Sequence, residues 1–323
     1  MISIDLNTPL KILESYLTKK SWLLLNEHIQ SIESPGEGNM NVVLRVKTDK
    51  SSFIIKQSRP FVQKYPSISA PLNRIAIEYQ FYKKVINPQI RVHLPRVIHF
   101  DPKDHLLMME DLGKVQDLTR IYDIRKISPT TFNLLLEVLT LIHQTKNTND
   151  FPENLSMRML NHQHIFELPF MLENGFSLDD IQPGLQKLSL KYKNDKVLKA
   201  TVQKIGALYL SEGTTLLHGD YYPGSWMQTA NNTYVLDPEF AFVGFPEYDL
   251  GVMAGHLIMA THDETYLEKI IIGYEGKIRE QLLLQMAGIE IIRRLIGLAQ
   301  LPMQRTLDEK EKLLQIAYNL IKS

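Results

Sequence analysis

The stretch "LLHGDYYPGSWMQTANNTYVLDPEF", residues 216–240, holds two aspartates seventeen residues apart with little charge between them. Asp220 follows the dipeptide His218-Gly219, and Asp237 ends an apolar run. A solvated loop would carry more charge and fewer aromatic and aliphatic side chains. Carboxylates at a turn and at a strand end are suitable ligands for a hard metal ion. The stretch therefore predicts a metal-dependent active site.

The composition narrows the class of protein. The chain has 323 residues, a length that favours two domains, or two lobes sharing a cleft, over one core. Lysine plus arginine equals aspartate plus glutamate at 36 each, so no basic excess indicates a nucleic-acid partner. The chain has no cysteine, which excludes disulfides, thiolate metal sites and a cysteine nucleophile.

The N-terminal sequence "MISIDLNTPLKILESYLTKK" carries Asp5 early and lacks the long apolar run of a signal peptide. No stretch approaches about 20 uninterrupted apolar residues, the length that a membrane-spanning helix needs. We therefore expect a cytoplasmic protein without a membrane or nucleic-acid partner. We expect its partner to be a small-molecule substrate, and the protein to be a monomer or a homodimer.

Hydrophobic periodicity divides the chain into two parts. Up to residue 112, "MNVVLRVKT" and "SSFIIKQS" predict a hairpin, "RVIHFD" and "HLLMMED" predict further strands, and one helix is inserted from Pro71. From Gly113 onward the spacing predicts helices over roughly 184–212, 247–261, 263–300 and 307–322. The sequence thus predicts an α+β fold with a small β-rich N-terminal lobe, 1–112, and a larger helical C-terminal lobe, 113–323.

A glycine-rich turn, within "SPGEGNMNVVLRV", lies between two strand-like runs. Gly36 and Gly38 would let the backbone approach a phosphate and present N–H groups to it. Asn39 and Asn41 would add side-chain donors. The alternative is a plain hairpin turn, because a Gly-x-Gly turn alone is a weak motif.

A lysine and then a glutamate follow this turn in the sequence. Lys56 lies in the apolar strand "FIIKQ", where its ammonium must face outward or reach a partner. Glu78, framed by apolar residues on the inserted helix, is a candidate ion-pair partner. Glycine-rich turn, strand lysine and helix glutamate is the order of the protein-kinase N-terminal lobe. We therefore predict a two-lobed protein-kinase-like fold in which Lys56 binds ATP phosphates, although for Lys56 alone an exposed strand face is the simpler alternative.

The segment "LLMMEDLG" runs from a strand into the change of lobe. In a kinase this connector is the hinge, whose backbone groups bind adenine. By position, the Glu110 carbonyl and the Leu112 N–H are the predicted contacts with ATP, and an ordinary connector is the alternative.

The opening stretch fits the same plan. Phosphoryl transfer needs a group that orients the acceptor hydroxyl and Mg²⁺ to neutralise the phosphate charge. Asp220 is predicted to be the catalytic residue and Asp237 a metal ligand. Ser225 stands where related kinases have a metal-binding asparagine. We therefore predict Ser225 as a metal ligand. Glu239 lies two residues beyond Asp237, on the same side of an extended segment, and is predicted as a further metal ligand.

These motifs resemble those of the aminoglycoside-phosphotransferase and choline-kinase superfamily, with the closest likeness to the 5-methylthioribose kinases. Similar segments are "GEGNMN", "IIKQSRPFV", "LLHGDYYPGSWM", "DPEFAF" and "IEIIRRLIGLAQ". Gly224-Ser225 is a further likeness, since that family has serine where most relatives have asparagine. The loop of Tyr221, Tyr222 and Pro223 departs from it, because the family has Leu-His-Thr there and Pro223 is more typical of the aminoglycoside side.

The resemblance implies a role for each matching residue. It implies ATP contacts at Asn39 or Asn41, Lys56, Glu110 and Leu112, metal contacts at Asp237 and Glu239, catalysis at Asp220, and substrate or phosphate contacts at Arg293, Arg294 or both. For the arginine pair, a solvated helix face is the alternative. Tyr222, beside the catalytic loop with Tyr221 and Trp226, is a further candidate substrate residue, because such rings can pack on an apolar sugar face or a thioether; packing within the lobe is the alternative for all three.

The predicted function is transfer of the ATP γ-phosphate, with Mg²⁺, to a hydroxyl of a sugar-like substrate, and 5-methylthioribose is the best candidate. An aminoglycoside or amino-alcohol kinase, of the choline or homoserine type, is the alternative. A catalytically inactive kinase fold that serves as a binding module is an alternative of another class. The presence of Lys56, Glu78, Asp220 and Asp237 argues against inactivity.

Overall fold

The computed structural model describes residues 2–36 and 40–323, and the chain falls into two compact units. The first unit comprises Met1–Val115 and Tyr234–Glu239. The second comprises Gln116–Thr233 and Phe240–Ser323. Sequence reasoning proposes one boundary, after residue 112, and has no signal for the short segment that returns to the first unit.

The first unit is built on one antiparallel sheet. Its elements are α1 (Leu10–Lys19), β1 (Ile29–Glu33), β2 (Val42–Thr48), β3 (Ser52–Gln57), β4 (Phe61–Val62), β5 (Tyr65–Ser69), α2 (Arg74–Lys84), α3 (Pro88–Arg91), β6 (Val97–Asp101) and β7 (Leu106–Glu110). Five strands pair antiparallel in the order β1-β2-β3-β7-β6, while β4 and β5 pair with each other. The predicted hairpin is confirmed as β2 and β3, with Asp49 and Lys50 at its turn.

A helix covers each face of this sheet. On one face, Leu17 of α1 is buried in the same cluster as Ile55 of β3. On the other face, Ile75 of α2 is buried with Leu107 of β7. Successive residues of a strand point to opposite faces. Because Ile55 points towards α1, Lys56 points to the face that carries α2.

From residue 116 onward the chain is mostly helical, as predicted. Its elements are β8 (Gln116–Asp117), α4 (Ile121–Ile124), α5 (Pro129–His143), α6 (Leu155–His162), α7 (Leu185–Lys193), α8 (Lys196–Leu210), β9 (Thr215–Leu217), β10 (Trp226–Gln228), β11 (Thr233–Val235), β12 (Phe242–Gly244), α9 (Glu247–Thr261), α10 (Thr265–Gly273), α11 (Glu280–Ile296) and α12 (Leu307–Lys322). β8 pairs with β10, and β9 pairs with β12, both antiparallel. Within the described residues, each helix is too short or too polar to cross a bilayer.

Two of the helices expected from periodicity are each split in two. The range 184–212 contains α7 and α8, because Asp195 caps α8 by accepting from the backbone N–H groups of Val197 and Leu198. The range 263–300 contains α10 and α11, with Tyr274 in an extended conformation after α10. A pattern that keeps its apolar spacing across a break does not reveal the break.

The centre of the second unit is α9, whose residues from Glu247 to Ala260 are all buried. α11 packs against both α9 and α12. Gly255 of α9 permits this packing, because a Cβ there would lie 2.9 Å from the Ala287 carbonyl oxygen of α11. Because α9 and α11 approach closely at Gly255, polar side chains on the facing sides of these two helices are buried against each other.

Candidate active site

Lys56 of β3 is the centre of a buried charged cluster in the first unit. Its Nζ lies 2.7 Å from Glu78 Oε1 on α2 and also donates to Asp237 Oδ1. The lysine is 5% exposed, and Glu78 is fully buried. Burial lowers the pKa of Lys56, but the carboxylates of Asp237 and Glu78 outweigh burial and hold that pKa well above its ordinary value. Lys56 is therefore a fixed cation that joins two carboxylates.

Arg74, which sequence reasoning missed, forms a second buried cluster with Asn41 and Glu239. Its Nε donates to Asn41 Oδ1 at 2.9 Å and lies 3.3 Å from Glu239 Oε2. Asn41 Nδ2 donates to the same Glu239 oxygen at 3.0 Å. Both ends of the buried Asn41 amide are thus bonded within the protein, and the amide ties the start of β2 to the segment that carries Asp237.

The remaining donors of Arg74 hold the backbone. Nη1 donates to the carbonyl oxygens of Arg59 at 2.7 Å and Pro71 at 2.8 Å, and Nη2 donates to that of Met40 at 2.7 Å. The side chain is fully buried. The sequence did contain one indication that Arg74 is buried. Arg74 lies four residues before Glu78 and therefore on the same face of the helix. A buried arginine needs many acceptors, and these are spread over distant parts of the sequence.

Asp237 is the more accessible of the two predicted acidic metal ligands. Its side chain is 44% exposed, whereas that of Glu239 is 7% exposed and bonded to Arg74 and Asn41. Burial raises the pKa of Glu239 to about 8, although Arg74 opposes the rise. Mg²⁺ usually takes one or two carboxylates together with phosphate oxygens. Asp237 fits that role, and Glu239 fits it only after leaving its present partners.

The described residues contain no ready-made metal site of three or more His, Cys, Asp or Glu side chains. Ser225, the third predicted metal ligand, belongs to the second unit and is buried. Its hydroxyl donates to the Asp220 carbonyl oxygen at 2.9 Å, so it closes the catalytic loop. The metal-binding roles of these residues stay predictions.

The glycine-rich segment is only partly described. Gly38 and Asn39 lie outside the described residues, and Gly36 is exposed. A Cβ at Gly36 would meet nothing within 4 Å, so packing does not require glycine there. Phosphate binding by this segment stays a prediction.

The connector after β7 is ordered by Asp111, one residue beyond Glu110. Asp111 accepts from Arg45 Nε and Nη2 at 2.8 and 2.9 Å and from Ser52 Oγ at 2.6 Å. Two parallel bonds from one guanidinium fix the carboxylate in orientation as well as position. The Glu110 carbonyl and the half-buried Leu112 N–H, which flank this anchor, stay predicted adenine contacts.

In the second unit, Asp249 of α9 holds the loop that follows β9. The backbone N–H groups of His218 and Gly219 donate to Asp249 Oδ2 and Oδ1 at 2.7 and 3.0 Å. Gly219 has a φ of +85°, and a Cβ there would lie 2.2 Å from the Phe240 carbonyl oxygen. Only glycine fits this position. The loop therefore presents Asp220 in one backbone conformation, and sequence reasoning missed Asp249, although "PEYDLG" contains it.

Asp220 lies against Arg294 of α11. Arg294 Nη2 is 3.4 Å from Asp220 Oδ1, and the Asp220 side chain is 23% exposed. Burial raises the pKa of Asp220, although Arg294 and Arg293 oppose the rise. The Arg294 guanidinium also lies over the Tyr222 ring, 4.8 Å from its centroid. The structure thus brings together the catalytic and substrate residues predicted in this unit.

The arginine pair is not a solvated helix face, since each arginine is 7% exposed. Arg294 Nε donates to Glu290 Oε1 at 2.6 Å, and Arg293 Nη1 donates to Glu290 Oε2 at 2.9 Å. Burial alone would raise the pKa of Glu290, but the two arginines hold it well below its ordinary value. Sequence reasoning missed Glu290. Its position, three residues before Arg293 and four before Arg294, places it on the same helix face and could have indicated the contact.

The other aromatic residues of the catalytic loop pack inside the unit. Tyr221 and Trp226 are fully buried, and the Tyr221 hydroxyl donates to the Leu135 carbonyl oxygen at 2.7 Å. Tyr222, by contrast, is half-buried and contacts Arg294. Tyr222 is therefore the aromatic residue of the three that remains a candidate for contact with a substrate.

A model of the phosphotransferase enzyme family matches residues 31–288, a range that includes every predicted site residue except Arg293 and Arg294. The chain belongs to this family. Membership of the phosphotransferase enzyme family confirms the resemblance that the motifs suggested.

Two relatives are themselves methylthioribose kinases. Methylthioribose kinase 1 of Oryza sativa subsp. japonica is 28% identical over 247 residues, which cover 71% of this chain and 56% of the relative. The methylthioribose kinase of Exiguobacterium sibiricum is 29% identical over 259 residues, which cover 75% of this chain and 64% of the relative. The matched part of this chain thus spans less than two thirds of the length of either relative.

A solved structure shares the fold. The ethanolamine kinase of Plasmodium vivax has a TM-score of 0.56 at 15% identity, and the match covers 98% of this chain and 88% of that one. At this identity the likeness concerns the fold alone. It confirms the predicted α+β, two-lobed protein-kinase-like fold.

Proposed function

We propose that the protein transfers the γ-phosphoryl group of ATP to a hydroxyl of an uncharged, sugar-like molecule, with 5-methylthioribose the best single candidate. One observation carries the choice of acceptor. A buried arginine pair, Arg293 and Arg294, lies at the carboxylate predicted to be catalytic, Asp220. The relatives named methylthioribose kinases support the same choice.

The charges around Asp220 disfavour a cationic acceptor. Among the described residues, Arg293 and Arg294 are matched by Glu290 and Asp220, and the third carboxylate near Asp220, that of Asp249, is already bonded to the backbone N–H groups of His218 and Gly219. An aminoglycoside or an amino alcohol would bring positive charge beside two arginines, which costs free energy unless further carboxylates compensate. A sugar hydroxyl or ring oxygen brings no charge and can accept hydrogen bonds from a guanidinium.

Asp220 has the properties of a group that orients and deprotonates the acceptor. A hydroxyl that donates to Asp220 would be aligned for attack on the γ-phosphorus. As the new P–O bond forms, the bond between the γ-phosphorus and the bridging oxygen of ADP breaks, and the hydroxyl proton passes to Asp220. Burial, which raises the pKa of Asp220, makes this carboxylate a better proton acceptor than an exposed one.

The first unit supplies the nucleotide groups in this proposal. Lys56, held charged by Glu78 and Asp237, would bind the ATP phosphates. Asp237 would hold Mg²⁺, which on binding neutralises charge on the phosphates. Glu78 keeps Lys56 in place and does not itself need to contact ATP.

An aminoglycoside or amino-alcohol kinase is the second candidate, and the loop after Asp220 favours it. Tyr221, Tyr222 and Pro223 replace the Leu-His-Thr expected of a methylthioribose kinase, and Pro223 is more typical of aminoglycoside enzymes. This difference lies beside the acceptor position, where it would matter most for specificity.

The test is an assay of ADP release with Mg-ATP and a panel of acceptors. The panel contains 5-methylthioribose, ribose, several aminoglycosides, choline, ethanolamine and homoserine, and Asp220→Asn is the control for background hydrolysis. We expect the highest specificity constant for 5-methylthioribose or another uncharged sugar. A preference for a cationic acceptor would overturn the choice of substrate, and nucleotide binding without turnover on any acceptor would favour the inactive binding module.

A further inference from the structure

Behind the arginine pair of the second unit lies a chain of buried hydrogen bonds. The hydroxyl of Tyr122, on α4, is 2.6 Å from His256 Nδ1, on α9. His256 Nε2 is 2.9 Å from Glu290 Oε1, on α11. All three side chains are at most 1% exposed. The chain therefore reaches from α4 to the carboxylate that holds both Arg293 and Arg294.

The direction of each hydrogen bond follows from the chemistry of its groups. Burial lowers the pKa of His256 to about 4, so the ring is neutral near pH 7 and carries a single N–H. Glu290 is an ionised carboxylate and only accepts, so the proton lies on Nε2. Nδ1 then accepts from the Tyr122 hydroxyl. Partners at both ends thus fix one tautomer and one ring orientation.

This histidine restricts how the Glu290 carboxylate can turn. Oε1 accepts from both His256 Nε2 and Arg294 Nε, and Oε2 accepts from Arg293 Nη1. A rotation of the carboxylate would break at least one of these buried bonds, which is costly away from water. Glu290 Oε1 in turn holds Arg294 Nε, and Nη2 of the same guanidinium lies 3.4 Å from Asp220 Oδ1.

We propose that His256 is a positioning residue for the acceptor: acting through Glu290, it holds the Arg294 guanidinium in the orientation that contacts Asp220 and the acceptor. The inference rests on the proposed function in one respect, that Arg294 contacts the acceptor. Tyr222, whose ring centroid is 5.1 Å from that of His256 and 4.8 Å from the Arg294 guanidinium, completes the packing around the arginine. Misplacement of a substrate-positioning group by about 1 Å can cost roughly 100-fold in rate.

Three variants test the proposal. His256→Leu removes both hydrogen bonds, whereas His256→Gln can donate an amide N–H to Glu290 and accept from Tyr122. Val252→Ala, one turn earlier on α9 and 1% exposed, is the control for a loss of buried packing on the same helix. We expect His256→Leu to lower kcat/KM for the best acceptor by about 10- to 100-fold, with KM for ATP changed less than about twofold. His256→Gln should recover most of the loss, and Val252→Ala should show none.

Equal losses in the leucine and glutamine variants, or a loss that Val252→Ala reproduces, would reduce His256 to a packing residue. A change confined to KM for ATP would contradict the proposal in the same way. If His256→Leu does not fold, Tyr122→Phe replaces it, because this variant removes only the donor to Nδ1. A smaller loss in the same direction is then expected, and an unchanged kcat/KM for the acceptor would overturn the proposal.

A second readout does not need a known acceptor. In protein labelled with ¹⁵N-arginine, the Arg294 Nε–H that donates to buried Glu290 should exchange slowly with water. We expect this protection in the wild type and in His256→Gln, and its loss in His256→Leu. If the wild type phosphorylates nothing in the panel, the proposed function fails, while unchanged protection in His256→Leu separately refutes the role of His256.

Discussion

Glu239 of the first unit and Glu290 of the second are both buried carboxylates beside arginine, yet their protonation differs. Glu239 lies 3.3 Å from the single guanidinium of Arg74, and burial raises its pKa to about 8. Glu290 accepts from two guanidinium groups at 2.6 and 2.9 Å and from a histidine, and its pKa is held well below the ordinary value. The number and closeness of the donors, more than burial itself, decide which carboxylate stays ionised.

This difference extends to the two clusters as wholes. The cluster of the first unit sets Lys56 and Arg74 against the carboxylates of Glu78 and Asp237 and the carboxyl group of Glu239, which its raised pKa keeps mostly protonated near pH 7. The cluster of the second unit sets two arginines against two carboxylates, and each is bonded to its partner. The cluster of the first unit can thus take up a further cation at the exposed Asp237 carboxylate or with release of the Glu239 proton, whereas the cluster of the second unit is balanced by its own side chains. We infer that nucleotide and metal complete the first cluster and that the second is preorganised for its acceptor.

The largest expected effect is the loss of turnover in Asp220→Asn. Asparagine keeps the size of the side chain but cannot accept the hydroxyl proton, so we expect kcat to fall by about 1,000-fold. ATP affinity, measured by calorimetry, should change little, because the proposed nucleotide groups belong to the cluster of the first unit. Turnover near that of the wild type would remove Asp220 from catalysis, and a large loss of ATP affinity would break the division of labour between the clusters.

Lys56→Met should have the next largest effect, and it bears on the first cluster alone. We expect kcat/KM for ATP to fall by about 100-fold because a phosphate-binding cation is lost. Breaking the buried pair with Glu78 should also lower the free energy of unfolding by about 3 kcal/mol. The double variant Lys56→Met/Glu78→Gln should regain most of the stability but none of the activity. If chemical denaturation shows no regain, the buried charge of Glu78 is not the cause of the loss.

The cluster of the second unit should make the free energy of unfolding depend on pH. Because the pKa of His256 is lowered from 6.5 to about 4 in the folded state, the unfolded chain binds a proton that the folded chain does not within this range. The free energy of unfolding should therefore fall as the pH drops from 6.5 to 4, by up to about 3 kcal/mol from this group. The groups that act on His256, namely Tyr122, Tyr222, Glu290, Arg293 and Arg294, are present in both proteins when the wild type is compared with His256→Gln. Parallel stability curves for the two proteins would show that His256 does not titrate as described.

Arg74→Lys should have the smallest effect, and it tests whether the contact of Arg74 with Glu239 contributes to stability. A lysine keeps the charge but cannot reach Asn41, Glu239 and the surrounding carbonyl oxygens at once. We expect the free energy of unfolding to fall by about 1–3 kcal/mol. Arg59→Lys is the matched control, since the Arg59 guanidinium donates to the Ile4 carbonyl oxygen and only its backbone carbonyl, which the substitution keeps, accepts from Arg74. Equal losses in the two variants would mean that the link to Glu239 adds nothing.

Local patterns were sufficient to predict several parts of this molecule. The hairpin of β2 and β3 and the strands β6 and β7 follow from alternation, and the same alternation explains why Lys56 faces α2. The order of motifs predicted the ion pair of Lys56 with Glu78, whereas the roles of Asp220 and of the arginine pair near the acceptor came from the family resemblance, and their mutual contact was not predicted. The features that were predicted are properties of short segments whose spacing is visible in the sequence.

Partners that are distant in sequence were not predictable in this way. Arg74 bonds to Asn41 and Glu239, and His256 bonds to Tyr122 and Glu290, across separations of 33 to 165 residues. No periodicity encodes such pairs, because they depend on how helices and strands pack. The split of the range 184–212 into α7 and α8 was missed for a local reason, since apolar spacing continues past the cap at Asp195.

The backbone at Asp237 limits which residue can occupy that position. Its φ of +66° lies in the left-handed region, which aspartate and asparagine adopt more readily than most other side chains, apart from glycine. Glutamate, the nearest substitute in charge, would face both a conformational penalty and a longer reach. Of the few residues that tolerate this conformation, only aspartate also carries negative charge. The backbone conformation at this position therefore favours aspartate over glutamate independently of the chemistry that the carboxylate performs.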